Sequence, residues 1–141
     1  MIQVIKEAFI QTFEDTLGKT PKFVSGKTLE GYLSSIDIVL DDGSTNTIMF
    51  VSSKGFLETF GEGMLGEDCF DDSVLIDLSQ ELANIIIGLA KVQAVCKGLN
   101  FKVKTPNTYG FGDFKDEGHI ALQFDLDGHL CSLFIHNYHN K

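Results

Sequence analysis

The chain has 141 residues, 43% of them hydrophobic and 22% charged, the proportions of one globular domain large enough to bury a core. A formal net charge of -9 argues against a basic face for nucleic acid. No apolar run reaches the ~20 residues of a membrane span. Lys6, Glu7, Glu14 and Asp15 interrupt the first apolar stretch, so neither a signal peptide nor membrane insertion is expected and a cytoplasmic location is the default. Cys69, Cys96 and Cys131 are odd in number and far apart, and read as reduced, partly buried thiols.

The first element, residues 2–17, has the spacing of an amphipathic helix with Ile2, Ile5, Phe9, Phe13 and Leu17 on its apolar side and Gly18 as its stop. Thr20-Pro21 breaks to an extended segment, residues 22–26. A hairpin follows: residues 29–40 and 45–52 flank Asp41-Asp42-Gly43-Ser44, and Ile36, Ile38 and Leu40 alternate on one face to match Ile48 and Phe50. Residues 54–66 form a short helix weakened by glycine, with Phe56, Leu57, Phe60 and Met64 inward. Past the central helix, residues 101–104 read as a strand interrupted at Thr105-Pro106, and Tyr109 to Phe114 as a glycine-rich bend. The last unit is a second hairpin, residues 119–126 and 129–135 around Asp127-Gly128, with His119 and His129 at its ends as surface residues.

Residues 71–98 carry the strongest helix signal. Leu75, Leu78, Leu82, Ile85, Ile86, Leu89, Val92 and Cys96 fall on one broad stripe at 3.6 residues per turn. Asp71, Asp72 and Ser73 offer N-caps, and Gly98 offers a stop. On the polar side Asp77, Glu81, Asn84, Gly88 and Lys91 step by four, three, four and three, and so share one narrow line. An acid and a carboxamide project together one turn apart, with a glycine beyond them that leaves room for another molecule. On spacing alone this line is either a solvated face or a site.

Other motifs fail. Gly18-Lys19-Thr20 and Gly26-Lys27-Thr28 resemble the end of a phosphate-binding loop, but Phe13 and Pro21 stand where it needs glycine. Gly110-Phe111-Gly112 opens no helix. His136 and His139 have no further ligand at metal spacing, so no metal is expected on this chain. No serine or cysteine sits beside an activating base.

Lys-Thr-Pro at residues 19–21 recurs at 104–106, and Asp42-Gly43 recurs as Asp127-Gly128, both at an offset of 85. Each copy follows a helix and precedes a hairpin. The pattern implies a duplicated helix-plus-three-strand unit, about residues 1–53 and 71–136, joined by the helix at 54–66. The fold class is α+β: a six-stranded, largely antiparallel sheet with helices packed on it.

Asp77-Leu-Ser-Gln-Glu81-Leu-Ala-Asn84, followed by Gly88 and by Pro106 twenty-two positions after Asn84, resembles the CheC/CheX/FliY chemotaxis phosphatases. The helix and the proline match as a motif, and the likeness runs over roughly residues 2–136. Residues 1–45 hold no asparagine, so the Glu-x-x-Asn pair stands on the second helix alone, which is similar to the single-site CheX branch.

The resemblance implies hydrolysis of the aspartyl phosphate on a CheY-like receiver domain, with Asn84 orienting the attacking water and Glu81 pairing with a receiver lysine. It implies docking or structural roles at best for Asp77, Gly88 and Lys91. Mg²⁺ would sit on the receiver, with no cofactor on this chain, and a homodimer would join through a sheet edge. The competing class is a binding module without catalysis, such as a receiver scaffold or a relative of the flagellar-switch middle domains.

Overall fold

The computed structural model describes residues 1–66 and 70–137; Cys69 and His139 lie outside this range. Three helices, α1 (Ile2–Leu17), α2 (Lys54–Leu65) and α3 (Asp72–Cys96), cover one face of a seven-stranded sheet. The strands are β1 (Lys22–Val24), β2 (Glu30–Leu40), β3 (Thr45–Ser52), β4 (Phe101–Val103), β5 (Asn107–Asp113), β6 (Ile120–Leu126) and β7 (His129–Asn137). Every neighbouring pair is antiparallel. The order is β1-β6-β7-β3-β2-β4, and β5 also lies along β2.

The seventh strand corrects the expected six. The glycine-rich stretch at 109–114 is not a bend: five of its residues belong to β5, which runs along β2 from Asn107 to Asp113 with a bulge opposite Leu33 and Ser34. Gly110 takes a positive φ of 74° there, so glycines that read as a turn instead shape an irregular edge strand.

In chain order α1 is followed by one strand and a hairpin, and α3 by two strands and a hairpin; the two Asp-Gly pairs sit in the turns of the β2–β3 and β6–β7 hairpins. The Lys-Thr-Pro recurrence has no such match. Lys22 pairs with Asp125, two residues before Asp127; at the corresponding place, Leu40, two residues before Asp42, pairs with Phe101. Phe101 therefore stands where Lys22 does, and Thr105-Pro106 falls further along, between β4 and β5. Proline lacks the N–H a ladder needs, so it breaks this edge strand instead of opening it.

The core between helices and sheet is rich in phenylalanine. Phe9 stacks on Phe124 with ring centroids 3.9 Å apart, and Phe13 lies 5.1 Å from Phe9, 5.2 Å from Phe56 and 5.7 Å from Phe60. On α1 the predicted Ile5, Phe9 and Phe13 are fully buried, while Ile2 and Leu17 at its ends are half-buried. Met64 of α2 was expected inside but is 38% exposed. Its place is taken by Gly61, where an added Cβ would come within 2.7 Å of Phe70 and 2.8 Å of Leu78; α2 gives up helix propensity to let α3 pack close.

The opposite face of the sheet is not bare. Leu33, Val51 and Phe134 form a second, smaller cluster with Met49, Phe114 and Ala121. Segments 25–29 and 114–119 lie over it, and Lys27 pairs with Asp116 between them. Asp116 also accepts from the His119 backbone N–H at 3.0 Å, and the His119 ring packs 5.2 Å from Phe114, so His119 is half-buried and not the surface residue its position suggested.

The Lys27 ammonium and the His119 N–H hold the Asp116 carboxyl down from 3.8 to about 2. A depressed carboxylate stabilises the fold above its unfolded value and loses that contribution as pH falls through the folded one. Asp116→Asn is therefore expected to lower the melting temperature at neutral pH and to flatten the acid loss of stability between about pH 4 and pH 2. Parallel melts of both proteins across that range check it, and identical acid profiles would refute it.

Candidate functional site

Helix α3 begins as its sequence indicates: the Asp71 side chain accepts from the Val74 N–H at 2.9 Å. Its buried face is Leu75, Leu78, Ser79, Leu82, Ala83, Ile86, Ile87, Ala90 and Ala94. That differs from the predicted stripe at its far end, where Val92 is 63% exposed and Cys96 is exposed too. The stripe turns onto Ala83, Ile87, Ala90 and Ala94 because alanine lets α3 lie close to α1 and the sheet, whereas large apolar residues alone had defined the expected line. By length and composition α3 would suffice to cross a membrane, with a mean hydropathy of 1.4 over its most apolar window. Here it is the central core helix.

Three polar contacts fix how α3 is turned. Ser34 of β2 donates to the Ser79 carbonyl at 2.9 Å inside the core. The Tyr32 hydroxyl donates to Asp72 Oδ1 at 2.7 Å; burial, then the Asp72 carboxylate, pushes that hydroxyl up to about 12, so it remains a donor at neutral pH. Lys91 Nζ donates to the Phe101 carbonyl at 2.5 Å, tying the last part of the helix to β4. Lys91, expected to dock a partner at best, is thus half-buried and engaged within the chain.

The face turned outward is the line predicted from spacing. Asp77, Glu81 and Asn84 are exposed, and Gly88 is half-exposed. They form one wall of a groove of about 820 Å³, with Gln80 and Lys91; Val103, Lys104, Thr105 and Pro106 form the other. The chain break after β4 is what makes the second wall. The Lys104 N–H makes the last bond of this edge to β2, donating to the Asp37 carbonyl at 2.9 Å, before Pro106 turns the chain into β5. Pro106, marked in the sequence only by its distance from Asn84, therefore faces the Glu81/Asn84 wall.

Among the described residues, neither the Glu81 carboxylate nor the Asn84 carboxamide makes a hydrogen bond or ion pair within the chain, and both are free to engage a partner. Four groove residues were not singled out for the site by the sequence: Gln80, Val103, Lys104 and Thr105. Gln80 lies one turn from both Asp77 and Asn84 and was visible on a helical wheel; Lys104 belongs to a segment that only the fold brings across from α3.

Elsewhere the site candidates are sparse. Cys131 is fully buried, and burial raises its thiol to about 12 despite a hydrogen bond with Ser52. The His136 ring lies 4.9 Å from His119, and among the described residues no group of three or more His, Cys, Asp or Glu is placed to hold a metal ion.

No family model and no curated protein matches this sequence. Solved structures do. The chemotaxis protein CheX from Vibrio vulnificus superposes with a TM-score of 0.84 at 15% identity, over 96% of this chain and 95% of that one. CheX from Desulfovibrio desulfuricans gives 0.75 at 20% identity, over 96% and 97%. A CheX–CheY–BeF3–Mg²⁺ complex from Borrelia burgdorferi gives 0.72 at 19% identity, over 96% of each chain. With nearly the whole of both chains aligned and helices and sheet in the same arrangement, this chain has the fold of the CheX and CheC-like chemotaxis proteins.

Proposed function

We propose that this chain is a CheX-type phosphatase that hydrolyses the aspartyl phosphate of a CheY-like receiver domain. The observation that carries the reading is the pair Glu81 and Asn84, exposed, unengaged and one turn apart on a groove wall opposite Pro106. A helix fixed by its own core contacts can enter another protein's active site without rearrangement. In a chain with a net charge of -9, a neutral carboxamide in this wall avoids repelling a phosphoryl group.

In this reading Asn84 holds a water in line with the phosphorus, its carbonyl oxygen accepting from the water. The water oxygen bonds to phosphorus while the bond to the aspartyl oxygen breaks. The electron pair leaves on the receiver's carboxylate, and the water's protons depart with inorganic phosphate. Glu81 pairs with a receiver lysine and sets the depth and angle of the helix. Mg²⁺ is held by the receiver, and Asp77 lies at the groove's edge, where it borders the docked partner. Release of inorganic phosphate from a phosphorylated CheY-like receiver, faster with this protein than without it, tests the reading; no acceleration on several receivers would overturn it.

The same reading makes the protein a homodimer. The outer strands β1, β4 and β5 each pair on one side only, and β5 carries Tyr109 and Phe111, each 55% exposed. An open edge with large apolar side chains calls for cover. Light scattering at tens of micromolar, about the range where an obligate interface is filled, is expected to give twice the chain mass, and a monomer there would refute the dimer.

A further inference from the structure

Gly88 is a glycine that nothing inside the chain requires. Gly18, Gly26, Gly43, Gly66, Gly98, Gly110, Gly118 and Gly128 have positive φ, where a side chain is strained. Gly31, Gly55, Gly61 and Gly63 have neighbours that an added Cβ would strike, at 2.2, 2.4, 2.7 and 1.6 Å for Gly55, Gly31, Gly61 and Gly63 respectively. Gly112 meets ordinary packing at 3.6 Å. At Gly88 the backbone is helical, and a Cβ would find no atom within 4 Å. Mid-helix glycine is nonetheless among the least favourable residues for helix formation. The fold gains nothing from it.

Its place suggests what does. Gly88 lies one turn past Asn84 in the wall of the groove, and Val92 and Val95 continue the line one and two turns further on, 63% and 59% exposed. From Asn84 to Val95 at 1.5 Å per residue is roughly 16 Å of helix, a length that one face of a small domain can cover. We infer that Gly88 is the point of closest approach of the phosphorylated receiver domain: a notch that lets the partner's backbone touch α3, with Val92 and Val95 as the apolar contacts beyond it. This rests on the phosphatase reading and adds to it what sets affinity and choice of receiver. The occupant follows from continuity. A partner whose phosphoryl group reaches Asn84 cannot avoid the next turn of the same exposed helix line.

The inference predicts that stability and recognition move in opposite directions. Gly88→Ala should fold, with a melting temperature raised by about 3 °C, since alanine is the better helix former. Yet the added methyl should hold the receiver off. Binding to a CheY receiver loaded with BeF3 and Mg²⁺, measured by calorimetry with the full-length protein, should weaken on the order of tenfold, and KM for the phosphorylated receiver should rise similarly. Val92→Asp, a change at an exposed position, should weaken the same binding with an unchanged melting temperature.

If Gly88→Ala binds and turns over as the wild type does while Asn84→Ala is inactive, the notch is refuted and the phosphatase reading survives. If the wild type neither binds the loaded receiver nor releases phosphate, both are refuted. If it binds without hydrolysis and Gly88→Ala binds more weakly, the notch stands and the catalytic reading falls.

Discussion

Asn84→Ala is expected to abolish stimulated phosphate release while leaving the protein folded and the receiver bound. Asn84 is exposed and lacks a partner within the chain, so its removal opens no cavity and strands no buried group. Alanine also suits a helix interior better than asparagine by a few tenths of a kcal/mol, so stability should hold or rise slightly. The rate should fall by about two orders of magnitude or more, the scale of losing the group that positions the nucleophile. Single-turnover phosphate release checks it, alongside a binding isotherm for the same mutant. A wild-type rate would return this face of α3 to a solvated surface.

Glu81→Ala should differ in kind. It removes a charge from the same line, and in the proposed complex that charge is paired with a receiver lysine in a partly desolvated interface. Truncating one member of such a pair costs about 2 kcal/mol or more, a thirtyfold loss of affinity at 25 °C. Both KM and the maximal rate should therefore suffer, whereas Asn84→Ala should act almost wholly on the rate. Glu81→Gln distinguishes charge from shape, because it keeps the length of the side chain and should recover little of the lost affinity. If Glu81→Ala bound the receiver normally, the docking role would be wrong even if turnover fell.

The elements that could be read from the sequence are those whose signals are local. Asp71 as cap, the core of α1 and the two Asp-Gly turns are each set by a few neighbouring residues, and the structure has them where the spacing put them. The outward line of α3 was legible for the same reason: helical periodicity is a local rule, and Asp77, Glu81 and Asn84 obey it.

What escaped depends on distant pairing. Asn107, Gly110, Gly112 and Asp113 are poor strand formers, yet β2 is long enough to pair with both β4 and β5, and that ladder overrides their propensity. The second wall of the groove could not be read because Val103 to Pro106 meets α3 only through that same edge of the sheet. Likewise Ala90 and Ala94, unremarkable by composition, are buried, while Val92 and Val95 are left outside.

Three tethers hold α3, Ser79 to Ser34, Asp72 to Tyr32 and Lys91 to the Phe101 carbonyl, and of these only Lys91 also lines the groove. Glu81 and Asn84 take part in none of them. Folding and turnover thus answer to separate sets of side chains, and a descendant of this sequence can lose its chemistry by one substitution without passing through an unstable form. Selection on abundance cannot see such a loss; only selection on the lifetime of a signal can. Copies of this fold with a blank outer line should therefore be as robust to heat as active ones, and their stability should carry no trace of whether they ever cleaved a phosphate.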